Sequence, residues 1–150
     1  MAKTTLKALI THLKANQYIK EIIRKDVMGN QLSLSEFMVL ELLLHQGRQP
    51  IQMIAKKVLL TSGSMTYVIN QLEKDGHLKK TPCDQDQRIT YAELTTNGYQ
   101  LIKHIFPNHE KKIDEIFSVL TEEELALWIE LHKKVGMDVE KKGDDFNEKL

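Results

Sequence analysis

The 150-residue chain has one cysteine, Cys83. A lone thiol excludes an intramolecular disulfide framework and a cysteine-rich zinc site. An excess of either charge is also missing: 21 Lys and Arg balance 21 Asp and Glu. Bulk electrostatics therefore announce no nucleic-acid partner. No apolar run approaches the roughly 18–20 residues of a membrane span. The basic start Met1-Ala2-Lys3 leads into no unbroken apolar stretch before a small-residue cleavage site. We expect no signal peptide, no membrane partner and a cytoplasmic location. No glycine-rich phosphate loop occurs, and no nucleophile sits in an obvious acid–base frame. An enzyme is not expected, and no cofactor is implied. Six histidines are scattered, and His104 and His109, five apart, share no regular helical face. Without a His-x-x-x-His pair or a Cys partner, no metal site is expected.

What is present is ordinary globular material, 41% apolar and 28% charged, enough for one domain over 1–150. Charge is unevenly spread. Arg48 to Arg88 carries seven basic and four acidic residues, a net +3. Residues 1–30 carry six and two, a net +4, and residues 121–150 carry five and nine, a net −4. This permits a basic face with an acidic end elsewhere.

Apolar periodicity orders the chain. Leu6, Leu9, Ile10 and Leu13, then Ile19, Ile22 and Ile23, predict one amphipathic helix over 4–28, ended by Gly29-Asn30. Ser33 and Glu36 have capping-box spacing before a helix that is apolar nearly all round and stops at Gly47. Pro50 suits a first helical turn, followed by the stripe Ile51, Ile54, Ala55 and Val58. Thr61 or Ser62 is placed to cap the next helix. There Met65, Val68, Ile69 and Leu72 face inward, and Asp75-Gly76 closes it. Leu78–Thr81 and Ile89–Leu94 read as short strands around a polar tip, so a β-hairpin follows. Thr95 or Thr96 caps a long helix that Pro107 should kink or interrupt. Thr121 to Glu124 is a second capping box, which accounts for the Glu122–Glu124 run. Trp128 in the last helix is an apolar anchor, and residues 143–150 read as a frayed tail.

The order is helix, helix, tight turn, helix, hairpin: mainly α with a small β-hairpin wing, a winged helix-turn-helix. Such a fold packs its second helix by one face and leaves the other for the major groove. Here that face offers Ser62, Ser64, Thr66, Tyr67, Asn70, Gln71 and Lys74. Asn and Gln can pair bidentately with adenine, Ser and Thr meet phosphates or bases, and Lys neutralises phosphate. Lys56 lies on the preceding helix, which crosses the DNA backbone. Arg88, at the hairpin tip, suits a narrow minor groove, and Asp86 can hold its guanidinium or tie down the loop. Cys83 near the wing tip is a candidate redox or electrophile sensor, since a thiolate is a nucleophile; an incidental surface thiol is the other reading.

Asp86-x-Arg88 followed by Leu94-Thr95-x-x-Gly98 resembles the wing signature of MarR-type regulators. Ser62-Gly63-Ser64-Met65-Thr66 through Leu72-Glu73-Lys74-Asp75-Gly76 resembles their recognition helix and its closing turn. The likeness covers nearly the whole chain, with one departure at Ala92, where the family often carries a larger β-branched residue. It implies a homodimer, with 1–30 and 99–142 as the helical dimerisation region and 31–98 as the DNA-binding lobe. It also implies repression at a double-stranded DNA operator, expected to be an inverted repeat. Leu60 to Val68, Thr90-Tyr91-Ala92 and Ile105-Phe106-Pro107-x-His109 look like the MhqR branch, repressors linked to quinone and hydroquinone stress. That branch implies a small aromatic effector of quinone or phenolic type. The family places an effector pocket between the dimer helices and the DNA-binding lobe, with Tyr18, Phe37, Glu41 and His104 as candidate liners here. Two alternatives share the fold: a metal-responsive regulator, and a winged-helix module serving protein contacts only.

Overall fold

The computed structural model describes residues 2–58, 60 and 62–147. Six helices and three strands follow in the order α1 (Ala2–Met28), α2 (Leu34–Gln46), β1 (Gln49–Pro50), α3 (Ile51–Val58), α4 (Ser62–Lys74), β2 (Leu78–Pro82), β3 (Thr90–Leu94), α5 (Thr96–Phe117) and α6 (Glu122–Asn147). They form two compact units. The first runs through Lys112, and the second begins at Ile113. The first unit thus takes in α1 and most of α5 along with the 31–98 lobe.

In the first unit α2 is the central element. Its capping box forms as its spacing predicts: Glu36 N–H donates to Ser33 Oγ at 3.1 Å, and Ser33 N–H donates to the Glu36 carboxylate at 2.7 Å. Phe37, Val39, Leu40 and Leu43 are all buried, which is why this helix shows little amphipathic contrast. Around it lie Val27 of α1, Ile54 and Val58 of α3, the α4 stripe, Leu78 of β2, Ala92 of β3, and Ile102 and Ile105 of α5. The small side chain at position 92 is fully enclosed.

The sheet differs from the expected hairpin by one strand. Its order is β1-β3-β2, antiparallel throughout, with Gln49 opposite Ala92 and Pro50 opposite Tyr91. Pro50 therefore ends an edge strand rather than opening a helix, and α3 starts at the next residue. An edge position suits proline because no ladder donor is required of it there. β2 and β3 pair in register from Leu78–Leu94 to Pro82–Thr90.

Two expectations about helices change. α4 begins at Ser62, and Thr61, the other residue expected to cap it, lies outside the described residues. α5 is not interrupted at Pro107. Proline removes a single amide donor, and this one is exposed, while Ile105 and His109 on either side are buried and hold their turns in place. Helix α6 continues to Asn147, so 143–147 is helical where a frayed tail was expected. Lys142 donates to Asp138 at 2.6 Å, one helical turn back, and favours helix there.

In the second unit Thr121 and Glu124 close the second capping box at 3.2 and 2.9 Å. Trp128 lies against Phe117, 6.4 Å between ring centroids, and stacks on His132 at 4.2 Å.

Candidate nucleic-acid interface

Helix α4 is fixed from below by Met65, Val68, Ile69 and Leu72, none more than 5% exposed. Helical periodicity then obliges the other face to point outward. Ser64, Thr66, Tyr67, Asn70 and Lys74 are exposed there, Tyr67 to 70%. Ser62 is the first residue of the helix. Lys56 is exposed in the last turn of α3.

Gln71 and Asn70 of this face are already engaged with neighbouring side chains. Gln71 is half-buried, and its amide nitrogen donates to the Asp75 carboxylate at 3.1 and 3.3 Å. Its donor group is turned along the helix, and a bidentate pairing with adenine requires that contact to break. Asn70 Oδ1 accepts from Lys80 of β2 at 2.9 Å, and Lys80 also pairs with Glu73 at 2.8 Å. A cleft of about 310 Å³ opens beside them, lined by Ile51, Thr66, Ile69, Asn70, Lys80 and Thr90.

The wing tip is built on a clasp between two residues. Asp86 accepts three hydrogen bonds from Arg88: from its backbone N–H and Nε at Oδ1, and from Nη2 at Oδ2, each 3.0 Å. One carboxylate thus ties down the loop and orients the guanidinium, the two roles weighed as alternatives from sequence. The Arg88 side chain still stands 90% exposed. Its side-chain and backbone hydrogen bonds hold the Asp86 carboxyl below the usual range, and the same contact pushes the guanidinium up. Cys83 is half-buried at the start of the loop, where its N–H donates to Ile89 O at 2.9 Å. At the base of the sheet Arg48 lies over the Tyr91 ring at 4.3 Å.

The four candidate effector contacts fare unequally. Tyr18 is exposed on α1, Glu41 is half-buried on α2, and His104 is exposed on α5. Phe37 is a core residue, 1% exposed, with its ring 4.4 Å from that of His109. His109 is itself buried and pairs through Nδ1 with Asp26 at 3.0 Å. No local pattern could have shown that pair, because 83 residues separate its members. The Lys80 contacts were more accessible to reasoning: alternation along β2 puts Lys80 on the same strand face as the core residue Leu78. Among the described residues no group of three or more His, Cys, Asp or Glu side chains gathers. Among the same residues no helix is long and apolar enough to cross a membrane.

This arrangement of helix and wing can be set beside known proteins. The MarR family model matches residues 32–90, the lobe that holds α4 and most of the wing. The HTH-type transcriptional regulator MhqR of Bacillus subtilis (strain 168) is 41% identical over 138 residues, covering 92% of this chain and 95% of its own. This chain belongs to the MarR family. It is a DNA-binding transcriptional regulator, and its relatives and fold neighbours are regulators, not enzymes. Two solved structures share the fold of this MarR-family regulator. Sco3205 from Streptomyces coelicolor, in complex with DNA, superposes with a TM-score of 0.81 at 21% identity, over 91% of this chain and 87% of its own. NadR in complex with 4-hydroxyphenylacetate gives 0.74 at 23%, over 84% and 89%.

Proposed function

We propose that this regulator is a repressor that binds an inverted-repeat operator as a homodimer and is released by a small phenolic or quinone-type effector. The observation that carries the reading is the joint exposure of the polar α4 face and of Arg88 held by Asp86. A two-fold dimer sets two such helices in successive major grooves, with the wings reaching the flanking minor grooves. Ser62, Ser64, Thr66, Tyr67, Asn70, Gln71, Lys74, Lys56 and Arg88 are the proposed DNA contacts.

Dimerisation is supported by apolar side chains left uncovered on the terminal helices. Leu6, Leu9, Ile10 and Leu13 on α1 are 44–57% exposed, and Leu127, Leu131 and Val135 on α6 are 50–64% exposed. Rows of this kind belong at interfaces. The effector reading is supported by the similarity to MhqR and by the fold shared with NadR, which holds 4-hydroxyphenylacetate. Tyr18, Phe37, Glu41 and His104 are the proposed pocket residues, and Cys83 is the proposed site of electrophile attack. A ligand releases DNA only by its differential affinity for a conformation with a different spacing of the two lobes.

The test is fluorescence anisotropy on a duplex selected by the protein, with benzoquinone or 4-hydroxyphenylacetate added. Wild type should release the duplex, and sedimentation should give a dimer. Arg88→Ala should weaken binding clearly, and wild-type affinity should fall steeply with salt. Retention of DNA in the presence of both compounds rejects the effector. Equal release by wild type and Cys83→Ser assigns the effector to the pocket instead of the thiol.

A further inference from the structure

Lys80 and Glu73 hold Asn70 in one orientation. Asn70 and Glu73 are three apart on α4 and so lie on one face. Lys80 reaches them from β2, with Nζ 2.9 Å from Asn70 Oδ1 and 2.8 Å from Glu73 Oε2. An ammonium group has three N–H donors and no lone pair. The Asn70 atom it meets must therefore be the amide oxygen, and the amide nitrogen Nδ2 is turned away. Glu73 keeps Lys80 in place, so the orientation does not depend on one bond.

This orientation decides what Asn70 offers a base. Reading adenine requires an Asn that accepts from N6 while donating to N7. Oδ1 has two lone pairs, and with Lys80 on one of them the adenine amino group would reach the other only beside a cation that repels its N–H. Guanine presents two acceptors, O6 and N7, on the same edge. An outward Nδ2 with a positive charge behind it suits that edge better than any other in the major groove. Resting on the reading of α4 as the major-groove helix, we propose that Lys80 is a positioning residue that makes Asn70 select guanine instead of adenine. The bidentate adenine pairing expected from residue type alone is thereby replaced.

The test is selection from duplexes with a randomised core, using the full chain. Wild type should select guanine at one position of each half-site, by about tenfold over adenine. Lys80→Met should shift that position to adenine and leave the rest of the motif unchanged. Lys80→Arg, still donor-only, should keep guanine. Asn70→Asp keeps its oxygen on Lys80 but loses the outward donor, so it should lose guanine at the same position. Should Lys80→Met fail to fold, Lys80→Arg and Asn70→Asp decide the matter. A motif unchanged in Lys80→Met or in Asn70→Asp would overturn the proposal and leave DNA binding intact, as would adenine in wild type at the Asn70-dependent position. Enrichment of no duplex by wild type would overturn the major-groove reading itself.

Discussion

The backbone carbonyl of His77 occupies the space that a side chain on Gly98 would need. A β-carbon at position 98 would lie 1.8 Å from that oxygen and 2.7 Å from its carbon. The same carbonyl accepts from Thr95 N–H at 3.1 Å. Thr95 Oγ1 donates to the Gly76 carbonyl and accepts from Gly98 N–H at 3.1 Å, capping α5. The turn that closes α4 is thus fastened directly to the first turn of α5. The spacing of Leu94, Thr95 and Gly98 has its physical reason here: one hydroxyl to cap and fasten, and one missing side chain to admit a carbonyl.

Gly98→Ala should destabilise the protein by roughly 2–3 kcal/mol, because the clash is with backbone that cannot rotate away. Thr95→Ala should cost about 1 kcal/mol from the lost cap, with Thr95→Ser close to wild type. Urea denaturation followed by circular dichroism measures all three. The exposed neighbour Asn97 is the control, where alanine should change stability by less than ~0.5 kcal/mol.

Asp26 and His109 tie α1 to α5 inside the first unit. His109 is 3% exposed, with Nδ1 3.0 Å from Asp26 Oδ2 and its ring against Phe37. Asp26→Ala leaves a buried ring nitrogen unpaired and should cost about 1–3 kcal/mol. A double-mutant cycle with His109→Phe should give a coupling above ~0.5 kcal/mol. A coupling near zero would show that the pair is not a stabilising contact.

The Asp86–Arg88 clasp has a defined pH response. The Asp86 pKa is lowered from 3.8, first by the Arg88 side chain and then by its backbone N–H. A depressed carboxylate contributes stability that is present above its unfolded pKa and lost as pH falls through its folded one. The clasp should therefore be complete throughout the neutral range and open only below ordinary carboxylate pH. Carbon-detected NMR of the Asp86 carboxyl should give a midpoint below 3.8 in wild type, rising in Arg88→Ala. Equal midpoints in the two proteins would count against the clasp in solution.

Elements written in local spacing were legible from residues alone. The capping boxes at Ser33 and Thr121, the α4 stripe and the pairing of β2 with β3 all depend on neighbours within a few positions. The bonding of Asp86 to Arg88, two residues apart, was legible for the same reason. Errors fell where local chemistry allowed two answers. Pro50 fits a helix start and an edge strand equally well, and only the presence of β3 beside it decided between them. Pro107 usually breaks a helix, but burial on both sides of it carried α5 through.

By itself, then, the sequence determined the order of helices, the wing and the outward polar face of α4, because period and capping act along the chain. Tertiary structure decided what those outward groups offer. Asn70 is written as an adenine reader by residue type, but Lys80, ten residues on, occupies its oxygen. The Gln71 amide nitrogen likewise donates to Asp75, and Phe37 is a core residue set against His109. A side chain's type sets which hydrogen bonds it can make; only the fold brings up the partner that has already taken one of them.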